Sequence, residues 1–375
     1  MELELKKDWG FYATFVPNKK LPLYNWYYYK EGFARELVFK LLDLFDMKNG
    51  LVLDPFCGSG TTLLACKERG IESIGLEILP GSLLASRVKT RNYSDTDLSD
   101  IESCLNEIRK EKFEKPRKEP LPILKKCFPR HNLDDLMFLK RIINRYTITE
   151  AREFMLLALI NAAMKCSWVW KDGGVLKVKQ RPVAPLKKMF FRVANKMIRE
   201  AENYNNRSLA NSEVRAADAR EIPLLDSSVD CIITSPPYLN QIDYTKVYAI
   251  ENWIAGDVDE AGFEPPLRSF LGLGKTEDFM PYLPPQASAY FKDMDVFLKE
   301  AYRVCKNGAR IAIVIGNAYF PPPYSPVECD MLVSGLAKNI GFTIDNIFVL
   351  NERAALRNRT EKVGTLRESI VILTK

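Results

Sequence analysis

Leu51-Val-Leu-Asp-Pro-Phe-Cys-Gly-Ser-Gly-Thr-Thr62 constrains the fold more than any other stretch of this chain. A short apolar run ends on an acid, a glycine-rich bend follows, and Thr61–Arg69 continues with helical character, which reads as strand, turn and helix N-terminus. The glycines let the backbone pass close to a ligand, and a helix start points N–H groups at it. A phosphate loop of the Walker kind requires Gly-Lys-Ser/Thr, and no lysine follows Gly60, so ATP is disfavoured. Gly70 closes the helix, and Ile71-Glu-Ser-Ile-Gly-Leu-Glu77 reads as a second strand ending on an acid. That acid falls about 20 residues past the glycines, the spacing at which a carboxylate meets ribose hydroxyls. Together these features predict a nucleoside-binding, doubly wound α/β sheet.

A second stretch supplies the chemistry. Cys231–Thr234 reads as a buried strand, and Ser235-Pro-Pro-Tyr238 follows directly. Two prolines at a strand end stop the ladder and leave carbonyls free to face a ligand. An exocyclic amino group on a nucleobase is a weak nucleophile because its lone pair is delocalised into the ring. Two acceptors, the Ser235 hydroxyl and the Pro236 carbonyl, would take both N–H groups, draw the nitrogen toward a tetrahedral shape and free the lone pair for in-line attack on a sulfonium methyl. Tyr238 would stack on the base, which a duplex must extrude to reach such a pocket. Cys57 lies in the glycine loop and is not expected to attack.

Composition sets the outer limits. The 375 residues hold 47% hydrophobic and 27% charged side chains, ordinary for a globular protein. No run of about 18 apolar residues occurs, and Met1-Glu-Leu-Glu-Leu-Lys-Lys-Asp8 lacks the form of a signal peptide. The expectation is a cytoplasmic protein with no membrane association. Eight scattered cysteines without a CxxC pair, and a single histidine, His131, predict reduced thiols, no metal site and no Cys-His or Ser-His nucleophile. Net charge is +6, yet residues 101–200 hold 23 Lys+Arg against 11 Asp+Glu. Such asymmetry fits either a polyanion-binding region on an acidic body or a solvated helical surface.

In chain order, residues 1–25 read as irregular. Leu37, Val38, Leu41, Leu42 and Phe45 recur at helical spacing, predicting a helix that ends near Asn49-Gly50. The Trp26-Tyr-Tyr-Tyr29 cluster before it suits core or the wall of a nucleoside site. From 97 to 211 the pattern turns helical, with helices over Ile101–Lys112, Leu133–Arg145, Glu150–Val169 and Pro185–Tyr204 and irregular basic links that include Lys125–Arg130 and Lys177–Arg192. An α/β crossover needs far fewer residues, so this segment is an insertion and a candidate second domain, dividing the chain into 1–96, 97–211 and 212–375. Its basic residues, interleaved with Trp168, Trp170, Phe190 and Phe191, fit phosphate contacts beside stacking groups, or core aromatics. The α/β pattern resumes with a strand at Val214–Arg220 that Asp218 would end, then a helix over Tyr290–Val304, a strand over Gly308–Ile315, a helix over Val327–Ile340, and a strand pair, Phe342–Leu350 and Ser369–Leu373. The expected loop between that pair carries Arg353, Arg357, Arg359 and Lys362, and residues 255–292, with Arg268 and Lys275, are a further recognition candidate.

Asp54-Pro-Phe-Cys-Gly-Ser-Gly-Thr-Thr62 and Thr234-Ser-Pro-Pro-Tyr238 resemble the donor-binding and catalytic motifs of S-adenosylmethionine-dependent amino-methyltransferases that act on DNA cytosine N4 or adenine N6. Tyr29-Lys-Glu-Gly-Phe33 resembles the family's N-terminal donor-pocket motif, and Leu366-Arg-Glu-Ser-Ile-Val-Ile-Leu373 its closing strand. The resemblance covers about 26–90 and 212–375. It implies a seven-stranded, mostly parallel class I methyltransferase sheet with an inserted helical domain, S-adenosyl-L-methionine as cofactor, double-stranded DNA as partner and room for a cognate restriction endonuclease. The donor-site candidates are Tyr29, Lys30, Phe33, Asp54, Pro55, Phe56, Gly58, Gly60, Thr61, Thr62, Glu77 and Asp218, the last near the donor's adenine. The catalytic candidates are Ser235, Pro236, Pro237 and Tyr238. Nucleic-acid candidates within the insertion are Lys177, Lys179, Arg181, Lys187, Lys188 and Arg192. Ser-Pro-Pro-Tyr leans toward cytosine N4, with adenine N6, an RNA amino group and a non-catalytic specificity subunit as alternatives. One departure stands out: the Asp218 strand follows the insertion, so the chain leaves the sheet after its second strand.

Overall fold

Alternation along the central strands decides the layering. Ile311, Ile313 and Ile315 belong to an apolar cluster on one face of the sheet, and Ala312 and Val314 to a cluster on the other. Ile232 and Ile233 divide in the same way. A strand buried on both faces reads as a continuous apolar run because helices cover both sides. The computed structural model describes residues 3–116, 119–172, 175–205, 210–239, 243–256, 279–320, 326–357 and 361–375.

Among those residues the chain begins with β1 (Leu3–Leu5) and three short 3-10 turns, then runs α1 (Arg35–Leu44), β2 (Leu51–Asp54), α2 (Thr61–Glu68), β3 (Glu72–Glu77) and α3 (Pro80–Thr90). The insertion follows as α4 (Asp95–Lys110), α5 (Pro122–Cys127), α6 (Arg130–Ile143), α7 (Thr149–Lys165), β4 (Val169–Asp172), β5 (Val175–Val178) and α8 (Leu186–Asn205). The chain returns with β6 (Ser212–Ala216), β7 (Val229–Thr234), α9 (Tyr244–Val247), α10 (Ala249–Ala255), α11 (Pro285–Val304), β8 (Cys305–Gly316), α12 (Cys329–Ile340), β9 (Thr343–Arg357) and β10 (Glu361–Thr374).

The sheet order is β6-β3-β2-β7-β8-β10-β9-β1. The first five strands are mutually parallel, and β10 runs antiparallel to both of its neighbours. From β2 the chain winds outward to β3 and β6 on one side; β7 and β8 lie on the other. The strand order therefore reverses between β2 and β7, and their carboxyl ends, Asp54 and Thr234, open a crevice where such sheets bind ligands. β6 pairs with β3 although the insertion separates them in sequence, with Glu77 opposite Ala216.

Local signals explain the element ends. Ser94 Oγ accepts from the Asp97 amide at 3.1 Å while Asp97 Oδ2 accepts from the Ser94 amide at 2.8 Å, a reciprocal cap on α4. Gly341, at φ +125°, stops α12 and donates to Ala337 O and Lys338 O.

The expected seven strands become eight, because Leu3–Leu5 adds to β9 as an edge strand. Three residues are too few for a period of two to register. α1 stops at Leu44, short of the expected Asn49-Gly50. α7 stops at Lys165, and Trp168–Val178, expected as helix end and irregular link, holds the β4–β5 hairpin, with Val169 paired to Val178. Lys125–Arg130, expected as a link, holds part of α5. β9 and β10 extend well past the expected strand pair, so Arg353 lies in a strand; Arg359 is outside the described residues, as are Arg268 and Lys275. The insertion shares its core with its surroundings. One apolar cluster takes in Trp26 and Tyr27, Val88 of α3, Ile101 of α4, Leu139 of α6, Leu157 of α7, Phe190 of α8 and Ile250 of α10.

Candidate active site

β2 ends on Asp54, and the chain turns through Pro55–Ser59 into α2. Gly60 caps that helix in the left-handed region at φ +75°. Gly58 also has positive φ, +50°, and a Cβ there would lie 2.9 Å from Tyr29 Cε1, so the loop and the tyrosine ring meet only because residue 58 has no side chain. Beneath the loop, α3 ties down its carbonyls. Ser86 Oγ donates to Gly58 O at 2.6 Å, and buried Lys89 Nζ donates to Ser59 O at 2.5 Å.

A cleft of about 250 Å³ opens above this loop. Of the donor-site candidates, Tyr29, Lys30, Phe33, Asp54, Pro55, Phe56, Gly58, Thr61, Glu77 and Asp218 line it; Gly60 and Thr62 do not. Thr62 is buried, its hydroxyl donating to Ile233 O at 3.4 Å. Asp54 Oδ1 accepts from Thr234 Oγ1 at 2.6 Å and from the Phe56 amide at 3.2 Å. Burial nonetheless pushes its carboxyl up to about 6. Glu77 Oε1 accepts the Ile78 and Leu79 amides at 2.7 and 2.8 Å, and burial lifts it to about 7 against those bonds. Asp218, two residues past β6, holds Arg220 at 2.6 Å.

The second motif faces the same cleft. Ser235, Pro237 and Tyr238 line it, whereas Pro236 is buried outside the lining. The Tyr238 ring lies over Gly316 at the end of β8, where a Cβ would stand 2.8 Å from Cδ2 and Cε2. Its hydroxyl donates to Glu368 Oε1 at 3.0 Å, and Asn351 Nδ2 donates to Glu368 Oε2 at 3.1 Å. Burial, with the Glu368 charge, holds the phenol well above its usual range. The Cys57 thiol is likewise raised by burial, which removes it as a nucleophile.

Among the lining residues outside the sequence candidates, Glu31, Tyr244 and Glu368 bear most on the chemistry. Glu31 Oε2 accepts the Tyr248 hydroxyl, while Glu31 Oε1 is buried and takes no hydrogen bond among the described residues. Tyr244 joins a set of rings with Tyr29 and Tyr248, centroids 5.0 to 6.3 Å apart. Glu368 reaches the cleft through a bulge, since β10 shifts register against β9 between Glu368 and Ser369. Glu31 lies inside Tyr29-Lys-Glu-Gly-Phe33 and Glu368 inside Leu366-Arg-Glu-Ser-Ile-Val-Ile-Leu373, but neither motif marked it as a cleft residue, and a bulge leaves no trace in spacing.

None of the six insertion candidates lines the cleft. Lys177 pairs with Asp172 at 2.6 Å on the hairpin, and half-buried Lys187 lies 5.5 Å from the Phe138 ring centroid. Lys179, Arg181, Lys188 and Arg192 are exposed. Among the described residues no group of His, Cys, Asp and Glu could hold a metal ion, and no helix is long and apolar enough to cross a membrane.

The N6/N4 family model, described as DNA methylase, matches residues 7–85 and 229–375, well over half the chain and on both sides of the insertion. The type II methyltransferase M.BsoBI of Geobacillus stearothermophilus is 26% identical, across 97% of this chain and 87% of its own. M.AvaI of Anabaena variabilis, also a type II methyltransferase, is 25% identical across 94% and 85%. A SAM-dependent methyltransferase structure from Methanosarcina mazei superposes at a TM-score of 0.34, with 11% identity, covering 89% of this chain and 96% of that one.

Proposed function

Since the chain belongs to the S-adenosylmethionine-dependent DNA amino-methyltransferases, we propose that its methyl acceptor is cytosine N4 in double-stranded DNA and that Ser235-Pro-Pro-Tyr238 carries the transfer. The observation that carries this reading is the shared cleft: Ser235 and Tyr238 line the same cavity as Gly58, Glu77 and Asp218. The donor fits the residues present. Five carboxylates, of Glu31, Asp54, Glu77, Asp218 and Glu368, surround the cleft, complementing a ligand with two positive centres and ribose hydroxyls. Glu31 Oε1 offers a buried acceptor still without a partner among the described residues. Glu77, one oxygen already held by two amides, presents its carboxylate to the ribose, and Asp218 lies toward the adenine.

Bound S-adenosylmethionine supplies a sulfonium methyl whose C–S bonding pair stays on sulfur when the methyl leaves. The protein prepares the nucleophile. Ser235 Oγ accepts an N–H bond of the amino group, so the nitrogen's lone pair is freed to form the new N–C bond; the Pro236 carbonyl expected beside it belongs to a buried residue outside the cleft lining. The proton shed by the methylated nitrogen passes to the acceptor that holds it and on to water. Tyr238, fixed over Gly316 and by Glu368, stacks on the extruded base. No residue is acylated or alkylated on the way. Ser235, where adenine enzymes of the family more often carry Asp or Asn, favours cytosine N4 over adenine N6. The insertion, with its positive excess, holds the duplex and reads its sequence.

The test incubates the protein with radiolabelled S-adenosylmethionine and, in parallel, unmethylated duplex DNA and bulk RNA, then digests and identifies the nucleoside. Label in N4-methylcytosine is the expected result. Label in N6-methyladenine would keep the mechanism and overturn the base, and label in RNA alone would overturn the substrate.

A further inference from the structure

A second cavity, about 430 Å³, shares no lining residue with the catalytic cleft. The two belong to one aromatic cluster, because Tyr27 and Tyr28 line the second while the next residue, Tyr29, lines the first. It lies where the insertion meets the catalytic body, between α7, the β4–β5 hairpin, the segment Asn25–Tyr28 and Glu251 of α10. Tyr28 and Trp170 stand at it 44% and 45% exposed, whereas Trp26 and Tyr27 are buried. Two of its lining side chains keep unsatisfied buried oxygens among the described residues, Asn161 Oδ1 and Glu251 Oε2.

Charge gives the cavity its sign. Lys171 is spent on Glu251, 2.6 Å away in a buried pair. Lys165, also lining the cavity, enters no ion pair among the described residues, and neither does Arg192. Lys165 is held below its usual range by burial and then by Lys196 and Arg192, which lie on α8 outside the cavity lining, and Lys196 pairs with Glu200 at 3.3 Å. Exposed aromatic faces beside cations that lack a carboxylate are what unpaired nucleic acid binds: every base has a face to stack, and every nucleotide brings a phosphate. Acceptors without partners add a preference for bases that carry an amino group.

We infer that this cavity is a second nucleotide site, taking an unpaired, amino-bearing base of the substrate DNA on Trp170 and Tyr28 and its phosphate at Lys165. The inference rests on the reading of the substrate as DNA. Its function follows from its place: extruding one base disturbs its neighbours, and a second receptor beside the catalytic cleft holds the opened strand.

Photo-crosslinking tests it, using short single-stranded DNA and RNA oligonucleotides that carry 5-iodocytosine, followed by peptide mapping. The expected crosslinks fall on Trp170 or Tyr28 and persist in Tyr238→Ala. Trp170→Ala and Lys165→Met should each weaken DNA binding about tenfold, with calorimetric S-adenosylmethionine binding unchanged as proof of folding. Protein that methylates duplex DNA but crosslinks only elsewhere, or whose two variants bind DNA within twofold of the parent, overturns the second site alone. Protein that labels and crosslinks RNA alone overturns the reading on which it rests.

Discussion

Tyr238 does not hold its own position; Glu368 and Gly316 hold it. Loss of a hydrogen bond to a charged group costs about 1.5–3 kcal/mol, so Glu368→Ala should lower kcat by about 10- to 100-fold while leaving donor affinity unchanged. In a Tyr238→Phe background the same substitution should cost almost nothing further, because the two changes remove one interaction; additive losses would contradict the positioning role. Gly58→Ala combines positive φ, a strain of about 1–2 kcal/mol, with a Cβ 2.9 Å from the Tyr29 ring. It should lower the Tm and abolish donor binding, which thermal scans with and without donor would read. Asp54 and Glu77, lifted to about 6 and about 7, keep protons in the free protein that the unfolded chain has already lost. Their contribution to free-protein stability is therefore present at low pH and lost as pH rises through about 6 and 7. A cationic donor prefers them ionised, so the donor-induced rise in Tm should grow from pH of about 6 to about 8; a pH-independent rise would contradict it. At this scale a contiguous motif made most of the donor loop legible, though Glu31 and Glu368 were missed inside such motifs and Gly60 and Thr62 do not line the cleft. Glu368 and Tyr244 join the cleft through register and tertiary packing, which no spacing records.

Among elements, α3 has the most specific task. Its Ser86 and Lys89 bind the carbonyls of Gly58 and Ser59, leaving the loop's other side for the ligand. Lys89→Met should weaken S-adenosylmethionine about 10-fold or more, by calorimetry, and a change within twofold would show that the loop needs no such tie. β8 was legible because Ile311–Ile315 is a continuous apolar run, as a strand covered on both faces should be, and α11 because apolar residues recur every third to fourth position. The β4–β5 hairpin was not, although Asp172-Gly-Gly174 is a turn signal. The apolar spacing of α7 continues through Cys166-Ser-Trp-Val169, although the helix ends at Lys165. Lys171, with two apolar neighbours on its strand and an exposed type, gave no hint that it is buried against Glu251 and 3.2 Å from the Tyr248 ring centroid.

At the scale of the whole molecule, 14 Lys+Arg against 7 Asp+Glu of residues 101–200 sit in α4–α8, helices that share a core with the donor-side aromatics. Charge held there by a common core is placed relative to the cleft, which suits reading DNA at a fixed distance from the extruded base. Each phosphate contact contributes about 0.9 to the slope of log K against log salt. The double substitution Lys179→Ala, Lys188→Ala should therefore shallow that slope by about two, and an unchanged slope would place the duplex elsewhere. The doubly wound, mostly parallel character of the sheet was legible from a donor loop, an acid-ended second strand and a Pro-Pro strand end; the sharing of the core was not, because apolar periodicity says which face is buried and not against what. The proposed function places the donor on the glycine loop and the acceptor amino group at Ser235 of one cleft. Ser235→Ala, followed by calorimetric donor binding and single-turnover methyl transfer to duplex DNA, tests that claim most directly. Donor affinity within about twofold of the parent with transfer slowed about 100-fold or more is the predicted result; transfer at the parental rate would contradict it.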